Sequence, residues 1–209
     1  MDKLMENNQV TIAGTIASDF KFSHETYGEK FYSVDVGVAR FSGTVDMIPV
    51  MVSGGMMNTE TSRIGEKIRV SGQFRSFNRH DNDKNRLVLS VFAHEIEFLD
   101  EMQSSLDCNE ILLDGYICKV PIYRKTPLGR EICDFLIAAN RSYGKSDYIP
   151  CITWGRNALY TSGLDVGSRV KLYGRIQSRE YTKNLSDTET ETRTAYEVSV
   201  SKIELVEDN

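Results

Sequence analysis

One hundred and one residues after Asn8, the chain begins again. A shift of 101 pairs Asn8 with Asn109, Gly14 with Gly115, Ile16 with Ile117 and Gly28 with Gly129. The same shift pairs Arg40 with Arg141, Gly43 with Gly144, Asp46 with Asp147, Ile48 with Ile149, Pro49 with Pro150 and Gly54 with Gly155. These are ten identities in the ungapped 47-residue window 8–54, where ordinary residue usage would give about three by chance. A repeat this long is a whole domain rather than a solenoid unit, and 209 residues accommodate two such cores. The expected units are 1–101 and 109–209, with 102–108 as a short polar linker.

The apolar residues recur with a period of two, which is strand behaviour. In the first unit Val10, Ile12, Gly14 and Ile16 alternate, followed by Tyr32, Val34, Val36 and Val38, by Ile68, Val70, Gly72 and Phe74, and by Leu87, Leu89 and Val91. The second unit repeats this with Ile111 to Ile117, Cys133 to Ala139, Val170 to Ile176 and Tyr196 to Val200. Between the third and fourth strands lie the plausible helical pieces, roughly Gly55–Ile64 and Asn157–Leu164. Gly14, Gly72, Gly115 and Gly174, inside strands, suit the bulges that close a small barrel. The expected fold is therefore all-β: two tandem five-stranded oligonucleotide/oligosaccharide-binding (OB) barrels, each with one short helix between strands three and four. The fourth-to-fifth strand connections, Arg79–Asn85 and the acidic Thr182–Thr194, read as loops.

A net charge of −5 argues against a nucleic-acid partner, but its distribution argues the other way. From Lys119 to Lys183 there are twelve Lys and Arg against five Asp and Glu, a balance of +7, while the rest carries −12. A basic stretch in an acidic chain is a candidate anion-binding surface. Neither a membrane span nor a signal-peptide core is visible, so the expected location is cytoplasmic. Cys108, Cys118, Cys133 and Cys151 lack C-x-x-C spacing and read as buried reduced thiols. No metal, cofactor or enzymatic activity is expected: His24, His80 and His94 all fall in the first unit, without a nucleophile, a phosphate loop or a ligand pattern around them.

Chemistry concentrates in the second unit, where aromatic residues alternate with cations. Tyr143 follows Arg141, Tyr148 and Trp154 bracket the third strand with Arg156 beyond, and Tyr181 follows Arg175 and Arg179. Binding single strands without sequence preference needs flat rings for bases and cations for phosphates. Ile149, Cys151 and Thr153 share one face of the third strand, and Tyr148, Pro150, Ile152 and Trp154 the other; both faces carry apolar groups, so parity alone leaves the inside undecided. Tyr181 continues the face of Arg175, Gln177 and Arg179 and is expected outside.

These segments also resemble the bacterial single-stranded DNA-binding protein family. The second unit carries the likeness in NEILLDGYI, TPLGREICDFLIAANRSY, DYIPCITWGRNA, VGSRVKLYGRIQSREYT and YEVSVSKIELVE. The first matches more loosely, through NQVTIAGTI, IPVMVSGG and IGEKIRVSGQFRSF. The resemblance implies that Tyr143, Tyr148, Trp154 and Tyr181 are base-stacking positions, with Tyr in place of the family's usual Trp at three of them. Arg130, Arg141, Arg156, Arg175 and Arg179, near these rings, are the candidate phosphate partners. The matching first-unit positions hold Ser42, Met47, Ser53 and Arg79, with Phe41 and Phe77 nearby as partial substitutes and Arg40 and Arg75 as further cations. The implied activity is coating of single-stranded DNA in replication, recombination or repair. The alternatives are a primosome-type or protein-interaction OB protein, or an RNA-binding OB module. Four barrels per assembly, usual in the family, imply a homodimer here. The chain stops at IELVEDN, so recruitment of other proteins through an acidic C-terminal tip is not expected.

Overall fold

A computed structural model describes residues 6–81, 84–100, 108–184 and 190–207. The first unit comprises β1 (Asn8–Ile16), β2 (Lys21–Thr26), β3 (Glu29–Ala39), β4 (Val45–Ser53), β5 (Lys67–Asp81) and β6 (Lys84–Phe98). The second comprises β7 (Asn109–Ile117), β8 (Ile122–Lys125), β9 (Glu131–Asn140), β10 (Ser146–Trp154), α1 (Arg156–Ser162), β11 (Arg169–Asn184) and β12 (Thr190–Leu205). In the first unit β1 pairs with β3, β3 with β4, β4 in parallel with β6, β6 with β5, and β5 with β1. The second unit repeats this ring through β7, β9, β10, β12 and β11. Each is a five-stranded OB barrel, in which the β1–β3 and β4–β6 joins and their counterparts span two residue pairs apiece.

The alternating positions supply the cores. Ile12, Ile16, Val36, Ile48, Val70 and Phe74 are buried in the first barrel, and Leu113, Ile117, Ile137, Ile149, Leu172 and Ile176 in the second. Cys133 and Cys151 lie among the buried residues, and burial pushes the Cys133 thiol up to about 11. Strands β5 and β11 bulge at Ser71/Gly72 and Tyr173/Gly174. A Cβ at Gly72 would sit 2.1 Å from the Phe92 carbonyl oxygen, and one at Gly174 would sit 2.4 Å from that of Ser199. Only glycine permits these approaches, which accounts for its recurrence at both places.

Three expectations need correction. Residues 54–66 of the first barrel form turns and bends, not a helix. The sequence explains this: the Asn58 side chain accepts a hydrogen bond from the Glu60 N–H at 2.9 Å, offering the backbone a local turn instead. In α1, by contrast, Ala158 and Thr161 bury one side. Next, each barrel carries a sixth, edge strand, β2 or β8, whose residues are all exposed. Exposure on both faces leaves no alternation to read; β2 is set by the tight turn at Tyr27 and Gly28, both at positive φ. Finally, the described parts of 79–85 and 182–194 are mostly strand, extending β5–β6 and β11–β12 into long two-stranded ribbons. Apart from Cys108, the expected linker 102–108 lies outside the described residues.

The two barrels join edge to edge. β1 pairs antiparallel with β7, and the pair Val10–Ile111 brings repeat-equivalent residues face to face. A local two-fold relation therefore runs through that pair. The repeated asparagines sit beside it. Asn8 clasps the backbone of Phe74 through two hydrogen bonds of 2.9 Å, and Asn109 clasps that of Ile176 at 2.7 and 2.8 Å.

Candidate nucleic-acid interface

The alternation of β10 resolves which side of the second barrel faces out. Ile149, Cys151 and Thr153 point into the core, while Tyr148 and Trp154 remain 46% and 38% exposed. Ile152, on the same side as the rings, is nonetheless buried. Six residues separate the two rings, roughly 20 Å along an extended strand, so they form separate positions rather than one clamp. The Trp154 indole N–H donates to the Ser199 hydroxyl at 3.3 Å, which fixes the ring's orientation.

Tyr181 is 40% exposed and lies on the β11–β12 ribbon opposite Arg193. Beyond Gly174, β11 leaves β7 and pairs only with β12, so Tyr181 stands away from the barrel wall. Of the cations named from sequence, Arg130, Arg156 and Arg179 are exposed and form no ion pair among the described residues. Arg175 is half-buried, 3.7 Å from Asp46 of the other barrel. Burial and the nearby Arg40 hold its guanidinium below the ordinary value. The side chains of Tyr143 and Arg79 lie outside the described residues.

Arg40 and Arg141 are engaged elsewhere. Arg40 grips the buried carboxylate of Asp46 at 2.7 and 2.5 Å, and its guanidinium also reaches the Ser178 carbonyl of the second barrel at 3.2 Å. The carboxylate in turn accepts the Ser178 N–H at 2.7 Å and its hydroxyl at 3.2 Å. The mirror arrangement joins Arg141 bidentately to Asp147, which accepts the Ser76 N–H of the first barrel at 2.6 Å. Arg141 donates to the Ser76 carbonyl at 2.9 Å, and the Tyr148 N–H to the Ser76 hydroxyl at 2.7 Å. The repeated Arg and Asp-x-Ile-Pro landmarks thus form a reciprocal latch between barrels. Burial raises the Asp46 carboxyl, but hydrogen bonds from Arg40 and Ser178 outweigh it and leave the group below the usual carboxylate range.

In the first barrel Met47 and Phe77 are exposed and Phe41 stands free in solvent. The Ser42 hydroxyl donates to Thr44, and that of Ser53 to Glu29. A second aromatic group, not evident in the sequence, lies across β2, β3 and β6. The His24 and Phe31 rings stack at 4.9 Å, Phe31 meets Phe92 at 5.5 Å, and Phe92 meets His94 edge-on at 6.0 Å. The Arg75 guanidinium lies 3.9 Å above the Phe92 ring. The spacing of Phe31 and Phe92 in sequence gave no sign that they would adjoin. Among the described residues, no group of three or more His, Cys, Asp or Glu is placed to hold a metal, and no helix is long and apolar enough to cross a membrane.

Residues 108–206 match the single-strand binding protein family. Over 80 aligned residues the chain is 35% identical to single-stranded DNA-binding protein A of Bacillus subtilis, covering 35% of this chain and 46% of that one. Single-stranded DNA-binding protein 1 of Staphylococcus aureus is also 35% identical over 80 residues, with 35% and 48% covered. The chain thus spans about half the length of these curated relatives. In three dimensions it resembles the wild-type single-stranded DNA binding protein of Thermus aquaticus, with a TM-score of 0.77 and 18% identity over 97% of this chain and 94% of that one. That likeness supports the fold alone.

Proposed function

We propose, for a chain whose second barrel belongs to the single-strand binding protein family, that it binds single-stranded DNA by base stacking and phosphate pairing, without strong sequence preference. One observation carries this reading. Tyr148 and Trp154 project from a strand whose opposite face is fully buried, with Arg156 at the start of α1 and Arg179 on the outer part of β11, neither in an ion pair among the described residues. Rings for bases beside cations for phosphates are the composition such binding needs. The role is one of covering exposed strands during replication, recombination or repair.

The two units, 1–101 and 109–209, divide the work unequally, with the second supplying the matched rings. The latch makes the division geometric rather than absolute. Ser178, three residues before Tyr181, is bonded to the first barrel, so the first barrel positions part of the second barrel's aromatic set. In solution the chain forms a homodimer of four barrels, and light scattering should return about twice the 23.7 kDa chain mass.

Trp154 is the chain's one tryptophan and reports directly. Added poly(dT) should quench its emission, while duplex DNA of equal length should leave it nearly unchanged. Unchanged emission at saturating poly(dT) would remove Trp154 from the binding face.

A further inference from the structure

A cavity of about 820 Å³ opens where the first barrel meets the β9–β10 turn of the second. One wall is aromatic, built from Phe31, Phe92 and His94. The Arg75 guanidinium carbon lies 3.9 Å from the centre of the Phe92 ring, and Arg141 and Lys145 enter from the second barrel. The lining holds these three cations against two carboxylates, Glu29 and Asp147. Asp147 is bound by Arg141 and the Ser76 N–H, and Glu29 accepts from the Ser53 hydroxyl.

Arg75 is the unusual member. Its guanidinium donates to the Gln73 side-chain oxygen at 3.2 and 2.9 Å and forms no ion pair among the described residues. Burial and the neighbouring Arg141 work against its charge, and Asp147 offsets them only in part. A half-buried cation with a cationic neighbour, whose nearby carboxylate Asp147 is already gripped by Arg141, is stabilised by an incoming anion. The same guanidinium, held over the Phe92 ring, is itself a planar group beside the anion position. Burial and Arg75 also hold His94 below its ordinary range, so it stays a neutral ring at pH 7. Phosphate beside a flat, unsaturated ring is the chemistry of a nucleotide.

We infer that this inter-barrel cavity is a nucleotide pocket, which takes one phosphate between Arg75 and Lys145 and one base against the Arg75–Phe92–His94 wall. It is separate from Tyr148, Trp154 and Tyr181, and it gives the first barrel a binding position at residues that do not correspond to the second barrel's rings. The inference rests on the proposed binding of single strands, since a bound strand is the source of the nucleotide; a free mononucleotide has the same chemistry.

Two readouts on the full chain separate these possibilities. The imidazole proton signals of His94, assigned by its loss in H94N, report the pocket; Trp154 emission reports the second barrel. A long dT oligomer should shift the His94 signals. A shift with the oligomer but not with millimolar dTMP assigns the pocket to the strand, and a shift with both assigns it to the nucleotide unit itself. Arg75→Gln should weaken binding of the long oligomer about tenfold, the value of one lost charged hydrogen-bonding group, while a short oligomer should quench Trp154 as in the parent protein. Circular dichroism and melting verify that the variant is folded. His94 signals that stay fixed while the oligomer fully quenches Trp154 would overturn the pocket and leave the second-barrel site standing. Absence of quenching would instead overturn that site.

Discussion

The carboxylate of Asp46 in the first barrel accepts the backbone N–H of Ser178 in the second at 2.7 Å, and Asp147 does the same for Ser76 at 2.6 Å in the opposite direction. Each aspartate is held by the arginine six residues before it, so the two barrels grip each other through equivalent residues. A duplicated unit with an exposed sheet edge has an obvious partner in its own copy. The β1–β7 pairing covers that edge and the latches fix the angle around it.

Removing one latch should destabilise the chain. Asp46→Ala leaves the Arg40 guanidinium and the Ser178 N–H without their partner in a site where the carboxylate is 0% exposed. Breaking such a pair costs about 3 kcal/mol, the low end of the usual range because Arg40 keeps partial contact with water. Chemical denaturation should show this loss, whereas Phe41→Ser, at a free ring, should change stability by less than about 0.5 kcal/mol. Equal stabilities for the two variants would show that the latch does not hold the barrels.

Acid should act on the same place. The folded-state carboxyl of Asp46 lies below its unfolded value, because Arg40 and Ser178 outweigh the effect of burial. Its contribution is therefore complete above the unfolded value, near pH 4, and is lost as pH falls through the lower folded value. Melting temperatures taken from pH 6 down to pH 3 should fall more steeply for the parent protein than for D46N, which has no proton to gain there. Parallel curves would assign the acid sensitivity to other carboxylates.

The rings should divide unequally between barrels. Each stacked base is worth about 1–3 kcal/mol, so Trp154→Ala with Tyr181→Ala should cost roughly 2–6 kcal/mol of affinity for a labelled dT oligomer. The Phe41→Ala and Phe77→Ala pair should cost less, since neither residue occupies a matched stacking position. Fluorescence anisotropy on folded variants compares them, and an equal or larger loss for the Phe41/Phe77 pair would reverse the assignment.

Sequence alone disclosed the barrels because burial writes alternation into a strand: in β3, Val34, Val36 and Val38 are buried while Ser33, Asp35 and Gly37 are not, whereas on β10, apolar on both faces, only the fold shows which side is inside. It also placed Gly72 and Gly174 at bulges, where a side chain has no room. The edge strand β2 was illegible, because it is held by backbone pairing and buries no side chain. The latch was visible only as repetition. Arg40 and Arg141 read as phosphate partners because an arginine's partner is fixed by the fold, and Asp46 comes within reach only once its strand turns back. The Phe31–Phe92 contact depends in the same way on two strands 61 positions apart.

Salt dependence should report how many phosphates the chain neutralises. With Arg40 and Arg141 engaged in the latch, the exposed arginines of the second barrel that form no ion pair among the described residues are Arg130, Arg156 and Arg179. Counterion release from single strands gives a slope of about −0.7 in log K against log salt for each phosphate neutralised, so three contacts predict about −2. Engagement of one further phosphate by Arg75 and Lys145 in the inter-barrel pocket predicts about −2.8. Titrations of a long dT oligomer from 50 to 400 mM NaCl distinguish the two values. Arg75→Gln should make the slope shallower by about 0.7, as should Arg156→Gln, because each removes one phosphate contact. Arg141→Gln should act differently: it breaks the latch and lowers the melting temperature, leaving a slope closer to that of the parent. A parent slope near zero would contradict phosphate pairing altogether. A slope near −2 that R75Q leaves unchanged would confine binding to the second barrel.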